Sequence, residues 1–112
     1  YDALLKPIKA TSMEHYTETN QSSGHLYILR FTHQTEAFRN AIIEKMAQLG
    51  IATNVHFKPL PMHTAYKNLG FNIGEYPNAF NMYKNSISLP LHTLLSNDDV
   101  DYVCTSLIEL MR

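Results

Sequence analysis

The stretch from Ile51 to Tyr66, IATNVHFKPLPMHTAY, limits what this chain can build more than any other. Ile51, Thr53, Val55 and Phe57 alternate with Ala52, Asn54 and His56, which is the pattern of a strand whose two sets of side chains face opposite ways. The first set is apolar or β-branched and suits a core, while the second puts Asn54 and His56 side by side on the other face. Pro59 and Pro61 end such a strand, because each lacks a donor N–H and restrains the residue before it. A strand that brings a histidine to its tip and then breaks over prolines can form the wall of a cleft. The plainer role for His56 is to cap a strand edge, since ligand-binding histidines are a minority of all histidines.

With 112 residues the chain has the size of one domain with one modest core. A composition 45% hydrophobic and 17% charged is that of a folded protein rather than a disordered one. The net charge of −1 provides no basic field, which argues against nucleic acid as a partner. Cys104 is the single cysteine, so no internal disulfide can form, and this fits a reducing, cytoplasmic compartment. No apolar run approaches the ~20 residues of a membrane span, so no membrane partner is expected. The opening YDALLKPIKA is not a signal peptide, because Asp2, Lys6, Pro7 and Lys9 interrupt any apolar segment. It also lacks an initiator Met, and the chain reads as a piece of something longer.

Residues 1–24 read as irregular: Tyr1–Leu5 as the last turn of a helix stopped by Pro7, and Thr17–Gly24 (TETNQSSG) as an exposed loop. His25–Phe31, HLYILRF, reads as a strand buried on both faces. Arg30 within it is either paired at a sheet edge or aimed into a cleft. Residues 35–49 predict a helix with Phe38, Ala41, Ile42, Met46 and Leu49 inward and Arg39, Glu44, Lys45 and Gln48 outward. Thr35 caps its start, and Gly50 takes the left-handed position past its end. With the strand from Ile51 this gives a β-α-β unit. His63–Leu69 predicts one or two helical turns ended by Gly70, and Pro77 starts a further helix. Ile87–Leu91, ISLPL, is a short strand that Pro90 confines to an edge or a strand end. Ser96 and Asp99 form a capping box for a last helix whose inner face is Val100, Val103, Leu107 and Leu110.

The chemistry in the chain is incomplete. Its six histidines do not have metal-ligand spacing, and no clustered carboxylates accompany His56 and His63. Cys104, between Val103 and Leu107 on the last helix, reads as a small buried apolar residue. There is no glycine-rich phosphate loop and no nucleophile-elbow serine. The residues alone supply fragments of a pocket wall and no catalytic set.

Three strings in order, HLYILRF, GIATNVHFKPLPMHTAYKNLGF and YPNAFNMYKNSISLPLHTLLSNDDV, closely resemble the carboxy-terminal small domain of the DegT/StrS family of sugar aminotransferases. PLPMHTAY departs from the commoner form, in which a histidine directly follows the proline-leucine pair. The resemblance implies an α+β fold: a small three-stranded, mainly antiparallel sheet with helices packed on it, as in the C-terminal domain of the aspartate-aminotransferase fold (type I). It implies that residues 1–24 are the end of a linking helix and a loop, and residues 25–112 the small domain. It further implies a parent enzyme that uses pyridoxal phosphate, takes a nucleotide-linked keto-sugar and the amino donor glutamate, and forms a homodimer. The cofactor lysine, the aspartate facing the pyridine nitrogen and the phosphate-binding residues belong to the family's large domain, so no catalytic or cofactor-binding residue is expected here. Lys6, Lys9, Lys45, Lys58, Lys67 and Lys84 all lack the context of the cofactor lysine. Carried over by position, His56, His63 and Tyr66 stand near the sugar-nucleotide, with Asn54 on the face of His56. Such groups bond hydroxyls or phosphate without supplying a nucleophile. The rival reading is a stand-alone regulatory or protein-interaction module, which the fold alone permits. A reading frame continuing upstream into a large domain with a serine-rich lysine motif separates the two.

Overall fold

Three strands, β1 (Ala10–Ser12), β2 (Tyr27–Phe31) and β3 (Ser86–Leu89), form one antiparallel sheet in the order β1-β2-β3 in the computed structural model, which describes residues 1–112. The helices are α1 (Glu36–Gln48), α2 (Thr64–Asn68), α3 (Pro77–Tyr83) and α4 (Asn97–Leu110). The β2–β3 register sets Tyr27 opposite Leu89, Ile28 opposite Ser88, Leu29 opposite Ile87 and Arg30 opposite Ser86. The sheet therefore has one apolar face, bearing Tyr27, Leu29, Phe31, Ile87 and Leu89, and one face bearing Ile28, Arg30, Ser86 and Ser88. The apolar face joins Ile42 and Met46 of α1 and Val103, Cys104 and Leu107 of α4 in a single core. Each large apolar side chain buried there contributes about 1.5–3 kcal/mol.

The helix ends follow from local chemistry. Thr35 Oγ1 accepts from Phe38 N–H (3.2 Å) at the start of α1, and Gly50 takes φ +75°, a value that suits glycine, beyond its end. Ser96 and Asp99 close the expected capping box: Asp99 N–H donates to Ser96 Oγ (3.1 Å) and Ser96 N–H to Asp99 Oδ2 (2.9 Å). The Ser96 hydroxyl also donates to Asp99 Oδ2 (2.6 Å), and this bond first, then that from Ser96 N–H, holds the Asp99 carboxyl below its usual range. Pro77 opens α3 as expected, and Gly70 at φ +91° stops the chain after α2.

Four expectations fail for identifiable reasons. The stretch 51–57 forms no strand: it meets β3 at one bridge, where Asn54 N–H donates to Ser88 C=O (3.2 Å) and Ser88 N–H to Asn54 C=O (2.7 Å). No further rung forms: the Ser86 carbonyl, which would face residue 56 in the next one, accepts from Arg39 Nη1 (3.2 Å), and Val55 N–H turns to the Asn54 side-chain Oδ1 (2.7 Å). Ile51 is core as expected, but Phe57 is 73% exposed. The third strand of the sheet is instead β1, in a segment read as irregular, and so no β-α-β unit forms. β2 is buried on one face and half-buried on the other, not buried on both. On α1, Ala41 and Leu49 lie outside, and the inward face includes Arg39, 1% exposed.

Arg39 is buried because its bonds are met. Its Nη1 donates to the carbonyls of Tyr83 (3.3 Å) and Ser86 (3.2 Å), Nε to Asn40 Oδ1 (2.8 Å), and Nη2 to the Glu36 carboxylate (3.4 Å). The guanidinium also lies over the Tyr83 ring, 4.8 Å from its centroid. It thus joins α1 to the junction of α3 and β3. Arg39→Ala leaves the Tyr83 and Ser86 carbonyls unpaired and is expected to cost about 1–3 kcal/mol. Glu36→Gln, whose carboxylate is 37% exposed, is expected to cost under about 1 kcal/mol. Urea denaturation followed by circular dichroism checks both; equal, small losses contradict the assignment of the junction to Arg39.

Candidate functional site

The polar-edged face of the sheet carries a cavity of about 220 Å³, and it is there that His56 sits. The residues around it include Ile28 and Arg30 of β2, Met82 and Tyr83 of α3, Ser86 of β3, and His56 itself. His56 is held from beneath: its Nδ1 and the hydroxyl of Ser88 share a hydrogen bond at 2.9 Å. Nε2 has no partner within the chain and is the imidazole atom free to meet a ligand. Ser88, 5% exposed, therefore serves the 51–57 segment twice, through its backbone to Asn54 and through its side chain to His56. Ser86 faces the same way and donates its hydroxyl to the Met82 carbonyl, tying α3 to β3.

The expected site residues fall into two groups. Asn54 and His56 meet at Ser88, but the Asn54 side chain is exposed and spends its oxygen on the Val55 N–H. His63 and Tyr66 lie beyond the prolines, His63 just before α2 and Tyr66 within it. His63 is exposed and its Nε2 donates to the Lys58 carbonyl (3.3 Å), which ties it to the segment containing both prolines. Tyr66 packs edge-to-face on Phe71 (5.9 Å between centroids), and its hydroxyl is unpaired within the chain. Asn54, His63 and Tyr66 do not line the His56 cavity. Leu60 and Leu69, close in sequence to this second group, are exposed by 58% and 74%, whereas Phe57, 73% exposed, packs edge-to-face on His56 (4.9 Å between centroids) and lines its cavity.

Arg30, left open between a paired and a cleft-facing role, does both. Nη2 donates to the Asn81 carbonyl (3.2 Å) and Nε approaches Asn85 Oδ1 (3.5 Å), while the group lines the His56 cavity. Tyr83 keeps its proton firmly, since burial and then a hydrogen bond to Glu36 (2.9 Å) raise its pKa. The cavity is mostly apolar, with Met13, Phe57, Pro59 and Ala79 also lining it, so His56 and Arg30 are isolated polar groups on an apolar wall, and it holds no nucleophile beside a base. No three His, Cys, Asp or Glu side chains gather as a metal site, and no helix is long and apolar enough to cross a membrane. Ser86, Ser88 and Tyr83 were not singled out from the sequence. The available signal was the pair of serines alternating with Ile87 and Leu89, polar groups on a strand with one face of its own.

The sequence matches the DegT/DnrJ/EryC1/StrS aminotransferase family over residues 1–108. It is 35% identical to the spore coat polysaccharide biosynthesis protein SpsC of Bacillus subtilis, over 100% of this chain and 30% of that protein. A Helicobacter pylori UDP-4-amino-4,6-dideoxy-N-acetyl-beta-L-altrosamine transaminase is 28% identical over 97% of this chain and 29% of its own length. Among solved structures, the apo form of a Streptococcus pneumoniae protein described as a sugar aminotransferase superposes with a TM-score of 0.95. It is 45% identical, and the match covers 98% of this chain and 28% of that one. The chain thus spans under a third of the length of the relatives it matches. Its sheet, its helices and its sequence agree with one assignment: the chain belongs to the DegT/DnrJ/EryC1/StrS aminotransferase family.

Proposed function

We propose that this chain is the C-terminal small domain of a pyridoxal-phosphate-dependent aminotransferase that acts on a nucleotide-linked keto-sugar in amino-sugar or polysaccharide biosynthesis. In this reading it closes one side of the substrate cleft. The observation that carries the reading is that the whole chain, sheet and helices together, superposes on 28% of a sugar aminotransferase with a TM-score of 0.95. Residues 1–24 then lead in from a linking helix and residues 25–112 form the closing domain. The exposed Phe57, Leu60 and Leu69 support a docking surface for the large domain of the same polypeptide, since apolar patches of this kind mark contact sites. The parent enzyme would be a cytoplasmic homodimer that takes its amino group from glutamate.

Pyridoxal phosphate supplies an electron sink for the transfer of the amino group when it is bound. The residues present do not fit that group. It needs a lysine, a carboxylate for the pyridine nitrogen and a phosphate cradle together. The cavities lined by Lys84 and by Lys9 contain no carboxylate side chain. The role of this chain is therefore assigned to the sugar side. His56, fixed by Ser88, presents Nε2 to the cleft, and Tyr66 offers a free hydroxyl. His63 and Asn54, each with one side-chain atom engaged, contribute what remains of their hydrogen-bonding capacity.

Mixed with pyridoxal phosphate and passed through a gel-filtration column, the 112-residue chain should lose the cofactor's absorbance. A retained, stoichiometric aldimine band would refute the assignment of cofactor binding to another part of the enzyme. In the full-length enzyme, His56→Ala should lower kcat/KM for the nucleotide-sugar by a factor equivalent to about 1–3 kcal/mol of transition-state stabilisation, since a buried polar partner loses its bond. The half-reaction with the amino donor should be nearly unchanged. A lowered melting temperature with unaltered sugar kinetics would reduce His56 to a structural brace.

A further inference from the structure

We propose that a second cavity, which shares Arg30 with the His56 cavity, is a binding site for a phosphate group. It encloses about 300 Å³ and is lined by Thr11, Arg30, Thr32, His33, Asn81, Lys84 and Asn85. None of the seven is apolar and none is acidic. The hollow thus brings a guanidinium, an ammonium and an imidazole together with no carboxylate among them. The site stands on these donors and is independent of the function proposed above.

The cations lack counter-ions. The one ion pair in the protein is Arg39 with Glu36, so Arg30, half-buried on the central strand, has no carboxylate. Its two bonds go to neutral oxygens, and they orient it: Asn85 Oδ1 accepts from Nε (3.5 Å) and the Asn81 carbonyl from Nη2 (3.2 Å). Asn85 is itself fixed, because its Nδ2 donates to the Phe31 carbonyl (2.8 Å) and the residue is 5% exposed. Nη1 of Arg30 and Nζ of Lys84 have no partner in the chain, and neither do the hydroxyls of Thr11 and Thr32. A positioned guanidinium, a mobile ammonium and two hydroxyls match an anion with three or more oxygens better than a carboxylate, which offers two. No hydrophobic residue lines the hollow, so the chemistry recognised is the phosphate itself, free or carried by a nucleotide.

The test is an ¹H–¹⁵N correlation titration of the 112-residue chain with sodium phosphate, sodium acetate and sodium chloride at matched ionic strength, and separately with uridine diphosphate and uridine. Phosphate should shift the amides of Thr32, His33, Lys84 and Asn85 with saturation, and acetate and chloride should not. Diphosphate binding tighter than phosphate, with uridine inert, assigns the site to a nucleotide; equal binding assigns it to free phosphate. Arg30→Gln should weaken binding about tenfold or more, as a lost two-point guanidinium contact does. Lys84→Ala, which removes a point charge from a half-exposed position, should weaken it about threefold. Shifts equal in chloride, or spread over Lys6, Lys45 and Lys67, would overturn the site, and so would acetate binding as well as phosphate. Phosphate affinity unchanged in both variants overturns it too.

Discussion

The bonds of Ser88 decide where the most distinctive segment of this chain lies. Its N–H and C=O both pair with Asn54, and its hydroxyl meets His56 Nδ1 at 2.9 Å. Ser88 can do this because β3 is pinned on its other side to β2, with Ile28 opposite, and because Ile87 and Leu89 bury the strand's apolar face. A buried hydroxyl with a partner costs little, whereas one without costs about 1–3 kcal/mol. The same interaction that satisfies Ser88 thus fixes an imidazole at the mouth of a cavity. Apolar burial on one face of the sheet holds the strand, and the strand's other face carries Ser88 and, through it, His56.

Two arginines on neighbouring elements show how far environment sets a residue's role. Arg39 is fully enclosed, and carbonyls, an amide, a carboxylate and an aromatic face all contribute to offset its desolvation. Arg30 is held by two neutral oxygens and keeps unspent donors beside a polar cavity. The first is part of the frame. The second leaves Nη1 free at the cavity it lines. Both lie against the junction of α3 and β3, so Asn81, Tyr83 and Asn85 serve frame and cavities at once.

Much of the architecture was legible in the residues. The helix at 36–48 with its Thr35 cap, the short helix stopped by Gly70, the Pro77 start and the Ser96–Asp99 box follow from local rules that tertiary structure did not override. Three strands were read from the residues, one of them wrongly, and the mainly antiparallel sheet was implied only by the family resemblance. The 51–57 alternation is real as far as Val55, yet only Asn54 pairs with β3, and the Ser86 carbonyl that a further rung would use accepts from Arg39, far away in sequence. β1 is only Ala10–Ser12 and pairs across a long loop, so no period could reveal it. Arg39 was read outward because charge on a helix is usually solvated, and only the carbonyls of Tyr83 and Ser86, distant in sequence, make its burial possible. The site shows the same division: His56 could be singled out from its own segment, but the serine that aims it could not.

The central claim is that Ser88 positions His56 for the nucleotide-sugar, and a double-mutant cycle in the full-length enzyme tests it most directly. Kinetic constants for the sugar would be measured for Ser88→Ala, His56→Ala and the double variant. If the two residues act as one unit, the double variant should be no slower than His56→Ala alone, with a coupling energy within the range of about 0.5–3 kcal/mol seen for contacting residues. Losses that simply add, or a Ser88→Ala enzyme with unaltered sugar kinetics, would contradict the account.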